Sequence, residues 1–276
     1  MAQCPYCGKA AGFLRKFHKQ CKETYVSGEQ RIVSLVSEVA DRAGDLSQLA
    51  SKIQHIAEHS YIDNTALQTL VAAGWGKVVE NAFDDGVVTR QEEDFLAEIA
   101  NHFGLSSEML DRTGARTRLV KGAVLRDILE GELPHRINIE GNLPFNLQKT
   151  EEIVWVFQNV DYYEVKTRSH FVGGSRGVSV RIAKGVYYRT GSFKGERVQV
   201  SETVHTDTGL MGITNKHIYF SGSVARFRIR YEKIVSFESY EDGIGLQRDA
   251  ASAKPQSFVT GDGWFTYNLV TNLPQM

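Results

Sequence analysis

The first 21 residues hold the side chains of this sequence that are best suited to chemistry. All three cysteines of the chain lie there, at Cys4, Cys7 and Cys21, and His18 lies three residues before the last of them. Thiolates and imidazole are the ligands that zinc prefers in structural sites. A Cys-x-x-Cys pair can also form a dithiol redox site. The opening stretch CPYC therefore leaves two alternatives, metal binding and thiol redox chemistry.

The redox alternative needs a structural support that the sequence does not supply. Cys-Pro-Tyr-Cys is the active-site tetrapeptide of glutaredoxin-like oxidoreductases, where it follows a buried strand and begins a helix that lowers the thiolate pKa. Only three residues precede Cys4, and no strand–helix–strand pattern follows it. We therefore predict metal binding and not redox activity.

The spacing of the four side chains suits one zinc ion. Cys4 and Cys7 can share a tight turn, and His18 and Cys21 can share one face of a helical turn. The pattern C-x2-C-x10-H-x2-C resembles CCHC-type zinc fingers, including the ubiquitin-binding kind. We expect one structural Zn²⁺ per chain, bound by Cys4, Cys7, His18 and Cys21. Four protein ligands leave no open position for catalysis.

The metal would also supply the folding energy of this small module. A segment of about this size has too little apolar core to fold unaided, so zinc binding and folding are coupled. Phe13 and Phe17 are the apolar residues that we expect to be buried beneath the metal.

Length and composition indicate a multidomain globular protein. The chain has 276 residues, of which 42% are hydrophobic and 24% are charged. No apolar run is long enough to span a membrane, and the N-terminus lacks the apolar segment of a secretion signal. We therefore expect a cytoplasmic protein. The net charge of −1 combines a basic start, an acidic middle and a nearly neutral second half, which indicates three modules.

The middle of the chain is predicted to be helical. It contains no proline between Pro5 and Pro134, and its apolar residues recur at helical spacing. Asp63 is suited to begin one helix, and Thr89 with Glu92 forms a capping box that begins another. NAFDDGVVTRQEEDFLAEIANHFGLS resembles the TerB-like helical family. That resemblance implies a helical module of multi-protein bacterial stress or phage-response systems.

Two acidic residues between these helices, Asp84 and Asp85, are candidate contacts for a partner or a divalent ion. The segment partly matches a calcium-binding EF-hand loop, but Phe83 stands at a ligand position where it cannot bind calcium. Glu92 is already explained by the capping box. We therefore expect a basic partner surface at Asp84 and Asp85, with metal binding as the alternative.

The C-terminal half is predicted to be an antiparallel β-module. Eight of the 11 tyrosines lie beyond residue 160, and eight short alternating runs predict strands separated by glycine-rich turns. GLMGITNKHIYFSG resembles a hairpin of PH-like and GRAM-like domains. That resemblance implies a PH-like barrel or sandwich, a fold that in some cases binds lipid headgroups or peptides. GDGWFTYNLVTNL predicts a closing helix with Trp264, Phe265, Leu269 and Leu273 facing the core.

Two basic features of this half are candidate anion contacts. KTRSHFVGGSRG is predicted to be a glycine-rich loop, and ARFRIRYEK a strand with three arginines on one face. A solvated surface is the alternative for both. The residues proposed to contact anionic lipid or nucleic acid are Lys166, Arg168, Arg176, Arg226, Arg228 and Arg230.

The expected fold class is α+β and multidomain. We predict a zinc finger over 1–27, a TerB-like helical domain over 28–133, a linker over 134–147 and a PH-like β-domain over 148–276. No nucleophile elbow or nucleotide-binding fingerprint is present, so we predict no enzymatic activity and no small-molecule substrate. The function expected is that of a zinc-binding adaptor that docks protein partners in a bacterial stress-response or anti-phage system. The alternative is a module that binds nucleic acid or an anionic membrane.

Overall fold

The chain folds into two compact units, Met1–Arg136 and Ile137–Met276. The computed structural model describes residues 2–39, 46–83, 88–139, 141–183, 186–250 and 252–276, with side chains described for all of these except residue 39 and residues 167–200. The first unit is helical, and the second is built on a curled antiparallel sheet. The division between them falls within the segment predicted to be a linker.

Six helices form the described part of the first unit. They are α1 Lys19–Val39, α2 Leu46–His59, α3 Asn64–Ala82, α4 Arg90–His102, α5 Ser107–Asp111 and α6 Ala115–Leu129. Helix α1 carries Cys21 and continues without a break past residue 27, so the metal-ligand segment and the helical bundle share one helix.

Close packing of α1 positions the N-terminal segment on the bundle. A Cβ atom at Gly74 of α3 would lie 2.6 Å from Cβ of Val36, so only glycine lets the two helices approach this closely. The buried Trp75 of α3 connects this helix to α4, because its Nε1 donates to the carbonyl of Leu96 at 2.9 Å.

Both predicted helix starts are confirmed. Asp63 accepts a hydrogen bond from the backbone N–H of Ala66, and Thr89 and Glu92 form the reciprocal capping box.

The second unit is a seven-stranded antiparallel sheet in the order β4-β3-β2-β1-β7-β6-β5. Its strands are β1 Ile153–Ala183, β2 Val186–Thr214, β3 His217–Gly222, β4 Arg226–Arg230, β5 Ile234–Ser239, β6 Gly243–Arg248 and β7 Gln256–Val259. Short 3₁₀ helices at Tyr231–Lys233 and Leu273–Gln275 and helix α7 Gly263–Asn272 complete it.

The first two strands differ from the prediction. Strand β1 includes the three separate strands that the sequence predicts before residue 184, and the glycine-rich segment lies within it, with Gly173 paired to Gly195 of β2. The predicted loop is therefore wrong. Glycine permits a turn, but it does not require one when a partner strand continues the hydrogen-bond ladder.

Aromatic rings fill the core of the second unit. Tyr162 of β1 stacks on Phe258 of β7 with ring centroids 5.1 Å apart, and Phe220 packs beside both. The closing helix α7 is confirmed, with Phe265, Leu269 and Leu273 buried, but Trp264 is 54% exposed. No helix in the described ranges is both long and apolar enough to cross a membrane.

Candidate metal centre

The first two candidate ligands lie on a tight N-terminal turn. The backbone N–H of Cys4 donates to the carbonyl of Lys9 at 2.8 Å, and the N–H of Gly8 donates to the carbonyl of Cys4 at 2.9 Å. Gly8 has φ of 70°, a left-handed conformation that glycine adopts without strain. This turn brings Cys7 back beside Cys4.

The other two ligands approach this turn from the start of α1. Nδ1 of His18 lies 3.3 Å from Sγ of Cys7 and 3.7 Å from Sγ of Cys21. The ligand atoms of all four residues lie within 4.8 Å of one another. In a tetrahedral zinc site, Zn–S of about 2.3 Å and Zn–N of about 2.0 Å put neighbouring ligand atoms roughly 3.5–3.8 Å apart. The four side chains, which we call the cysteine–histidine cluster, therefore lie close enough together to bind a metal ion.

The environment of His18 selects the ring nitrogen that can bind the metal. Nε2 lies 3.1 Å from the backbone carbonyl of Ala10, which can only accept a hydrogen bond. Nε2 therefore carries the proton, and the lone pair of the neutral ring is on Nδ1, facing the sulfurs. A carbonyl partner on the second nitrogen is the usual support for a metal-binding histidine.

The thiols of the cluster have shifted pKa values. Burial raises the pKa of Cys4, but backbone N–H groups, including those of Cys7 and His18, donate to its sulfur and together lower the pKa to about 6. Burial and the adjacent sulfurs of Cys7 and Cys4 raise the pKa of Cys21. A cation among the three sulfurs would remove their mutual repulsion, and thiolate with imidazole is a donor set that suits a soft metal ion.

The two phenylalanines predicted to lie under the metal do not do so. Phe13 is 86% exposed, and its neighbour Leu14 is 92% exposed and has φ of 61°. Phe17 is also exposed, with Nζ of Lys22 lying 5.2 Å from its ring centroid. The loop between the ligand pairs thus presents apolar side chains to solvent. We call Phe13 and Leu14 the apolar tip.

Aromatic packing beside the cluster comes from a residue that the sequence analysis did not single out. The Tyr6 ring lies 5.0 Å from that of Tyr25 on α1 and meets the Phe17 ring edge-on. Its position inside the CPYC turn, between two ligands, was the available signal.

The acidic candidates Asp84 and Asp85 lie outside the described residues. Of the neighbouring carboxylates, Glu92 accepts hydrogen bonds from the backbone N–H and the hydroxyl of Thr89. Glu93 accepts from Arg126 of α6 and from Arg136. Glu92 and Glu93 therefore have structural partners within the first unit.

A second group of potential metal ligands consists of Asp127, Glu130 and Glu132. Arg136 donates to Asp127, and Arg90 donates to both Glu130 and Glu132. These arginines supply the positive charge that the carboxylates need, so the cysteine–histidine cluster is the better metal candidate of the two found in the described residues.

The basic candidates on β4 share one face, as predicted. Arg226, Arg228 and Arg230 are exposed and alternate with Phe227 and Ile229. Arg226 donates to the carbonyl of Gly222 at 3.3 Å, and Arg228 donates to that of Asn146 at 3.5 Å.

On the first hairpin, Lys166 is exposed and pairs in register with Glu202. The backbones of Arg168 and Arg176 lie in β1, and their side chains are outside the described part.

A buried polar cluster in the second unit was missed by the sequence analysis. The carboxylate of Glu151 accepts hydrogen bonds from Nδ1 of His217 and from the hydroxyls of Thr214 and Tyr219, at 2.8, 2.6 and 2.8 Å. Burial raises the pKa of Glu151, but these donors and the backbone N–H of Gln148 outweigh it and lower the pKa to about 2. We call this set the Glu151–His217 cluster.

Comparisons with known proteins were made at three levels. Protein-family models, curated protein sequences and solved structures gave no match to this chain.

Proposed function

We propose that the protein is a non-enzymatic adaptor whose N-terminal zinc finger docks a protein partner. The observation that carries the proposal is the apolar tip, which the cysteine–histidine cluster holds out in solvent. The TerB-like resemblance of the helical region suggests a bacterial stress-response or anti-phage system as the setting.

Zinc is the metal proposed for the cluster. Three thiolates and one imidazole nitrogen complete a tetrahedral set, so one ion per chain would have a structural role. The support from the carbonyl of Ala10 to His18 and the turn at Gly8 match the needs of such a site. Zinc would fix the loop between the two ligand pairs and with it the apolar tip.

The side chains at and near the apolar tip indicate what kind of surface the partner would have. The sequence on either side of Phe13 and Leu14 is basic, and its exposed cations are Lys9, Arg15, Lys16 and Lys19, the last of which pairs with Glu23. Two protruding apolar side chains fit a pocket, and the surrounding cations fit an acidic rim. The proposed partner is therefore a protein with an apolar pocket bordered by Asp and Glu.

The backbone conformation of the tip favours a protein over a bilayer. Leu14 is held in a left-handed backbone conformation that costs an L-residue roughly 1–2 kcal/mol. Fixed side-chain directions increase affinity for a shaped pocket, because less conformational freedom is lost on binding. A fluid membrane surface gains little from them. An anionic membrane or nucleic acid is the second candidate, favoured by the same basic residues.

Site-specific crosslinking tests the proposal. With Phe13 replaced by a photoreactive phenylalanine analogue, irradiation of cells should link the tip to one protein, which mass spectrometry identifies. Affinity for that purified partner should fall at least about tenfold in Phe13→Ser with Leu14→Ser. Val224→Ser removes an apolar side chain that is 79% exposed on the second unit and should change nothing. Crosslinks only to lipid or nucleic acid, or equal affinity in the tip variant, would reject protein docking.

A further inference from the structure

A cavity of about 440 Å³ lies in the second unit, at the ends of β3 and β4. Its lining includes Lys216 from the β2–β3 connection and His217 at the start of β3. Arg230 at the end of β4 and the following Tyr231 and Glu232 also line it. The alternating sequence predicts Arg230 on an exposed strand face but gives no local signal of a cavity beside it.

Two cations at this cavity have no anionic partner in the described residues. Nζ of Lys216 donates to the neutral hydroxyl of Thr150. The guanidinium of Arg230 makes no hydrogen bond or ion pair within the described part of the chain, unlike those of Arg226 and Arg228 on the same face. The lining thus has two positive charges and one carboxylate, that of Glu232, while the ionised Glu151 lies behind His217.

His217 adds a buried polar atom that lacks a partner. His217 is 1% exposed. It pairs across the sheet with Arg230, so the two side chains lie on the same face. Nδ1 is engaged by Glu151 at 2.8 Å, whereas Nε2 is buried and has no hydrogen-bond partner among the described residues. An unsatisfied buried nitrogen is costly, so a donor or acceptor that reached Nε2 would be stabilising.

The hydrogen-bonding capacity of Nε2 in His217 indicates which class of ligand the cavity could bind. Because the carboxylate of Glu151 accepts from Nδ1, Nε2 presents a lone pair in the neutral ring and an N–H in the cationic ring. A carboxylate ligand could satisfy only the N–H. A phosphate group has both P–O⁻ and, near neutral pH, P–O–H, so it can satisfy either form of Nε2. Arginine and lysine are the usual partners of its oxygens.

We propose that this cavity binds a single phosphate group, contacted by Arg230, Lys216 and Nε2 of His217. The carboxylate of Glu232 would repel additional negative charge, so the cavity disfavours a polyanionic chain. The group could belong to free phosphate or to a lipid headgroup of phosphate-monoester type. The site is independent of the N-terminal docking proposal, since it lies in the other unit.

The experiment uses the full chain loaded with zinc at constant ionic strength. Inorganic phosphate is titrated and followed by amide NMR shifts, and flotation with phosphatidylcholine vesicles containing phosphatidic acid tests the lipid source. We expect saturable shifts at residues 214–217 and 230–232, and acetate binding at least about tenfold weaker. Arg230→Gln should weaken phosphate binding at least about tenfold, while the matched Arg226→Gln, on the same strand face but outside the cavity lining, should not.

A second variant addresses the buried nitrogen directly. His217→Asn keeps a donor near the position of Nδ1 for Glu151 but removes Nε2, so it should weaken phosphate binding with little change in melting temperature. No saturation at millimolar phosphate, equal binding of acetate, or equal losses in Arg226→Gln and Arg230→Gln would overturn the proposal. Arg230 is exposed, so its variant remains informative if His217→Asn fails to fold.

Discussion

His18 in the first unit and His217 in the second use opposite ring nitrogens for structural support. At His18 the carbonyl of Ala10 engages Nε2, which leaves Nδ1 among three sulfurs. At His217 the carboxylate of Glu151 engages Nδ1, which leaves Nε2 without a partner in the described residues. In each case one fixed hydrogen bond determines which nitrogen remains available.

The surroundings of the available nitrogen then indicate what it binds. Three thiols around Nδ1 of His18 become negative when they ionise, so they call for a cation. Lys216 and Arg230 line the cavity at His217, so that environment favours an anion. We therefore propose that the same type of side chain serves ligands of opposite charge, and the predictions below test the two halves of this difference.

The largest effect is expected from Cys7→Ser. Loss of one of four ligands should lower zinc affinity by more than about 100-fold, since loss of only an outer-shell partner costs about 10–100-fold. Metal content measured after purification should fall from one equivalent to none, and NMR dispersion should be lost before α1 while the sheet unit keeps its spectrum.

His59→Ala is the control for this prediction, because His59 is exposed and lies outside the cluster. A well-ordered N-terminus without metal, or dithiol reductase activity in the wild-type protein, would restore the redox interpretation of CPYC.

Glu151→Ala should destabilise the sheet unit by about 3–5 kcal/mol. It leaves the donors of Gln148, Thr214, His217 and Tyr219 buried without their common acceptor. Chemical denaturation followed by tyrosine and tryptophan signals of the second unit measures the change. Glu241→Ala, at an exposed position, should stay within about 0.5 kcal/mol of the wild type. Equal stability of the two variants would show that the Glu151–His217 cluster is not a structural support.

Acid should weaken the Glu151–His217 cluster in a defined pH range. The pKa of Glu151 is lowered from 4.5 to about 2, so its ionised form stabilises the folded state above pH 4.5, and this contribution is lost as the pH falls from 4.5 towards 2. Asp207, whose pKa is lowered from 3.8 to about 2 mainly by the backbone N–H of Ala225, contributes stability that is lost as the pH falls from 3.8 towards 2. In Glu151→Gln the melting temperature should fall less steeply with acid than in the wild type. Parallel melting curves for the two proteins would contradict the assignment.

The difference between the clusters also explains which parts of the site could be predicted. Cys4, Cys7, His18 and Cys21 lie close in sequence, so their spacing alone predicts that they can converge. Glu151 and His217 are 66 residues apart, and only the pairing of β1, β2 and β3 brings them together. No local pattern contains that information.

The same contrast applies to the helical unit and to the apolar tip. The Thr89–Glu92 box was predictable because both partners lie within one helical turn, whereas the pairing of Glu93 with Arg126 spans 33 residues. Burial of Phe13 is predicted from its apolar character and from the small zinc module expected around it. Phe13 is exposed, and the neighbouring Leu14 has φ of 61°, a conformation that residue type does not predict for leucine.

The smallest effect concerns the strain at Leu14, where stability and binding should change in opposite directions. Leu14→Gly removes the Cβ atom that disfavours a left-handed backbone, so the finger should gain up to about 1 kcal/mol, seen as zinc affinity up to about fivefold higher than in Leu14→Ala. Chelator competition measures that difference. Both variants lack the leucine side chain and should lose the crosslinked partner equally.

Leu14→Ala is the matched control, because it removes the same apolar contacts but keeps the Cβ atom and its strain. Comparing the two variants therefore separates the backbone strain at Leu14 from the contribution of the leucine side chain to partner binding. Strain that persists in a folded protein is typical of functional positions, where the surrounding structure compensates for it. Weaker zinc binding in Leu14→Gly than in Leu14→Ala would show that the left-handed conformation carries no strain. Unchanged partner affinity in both variants would show that Leu14 is not part of the docking surface.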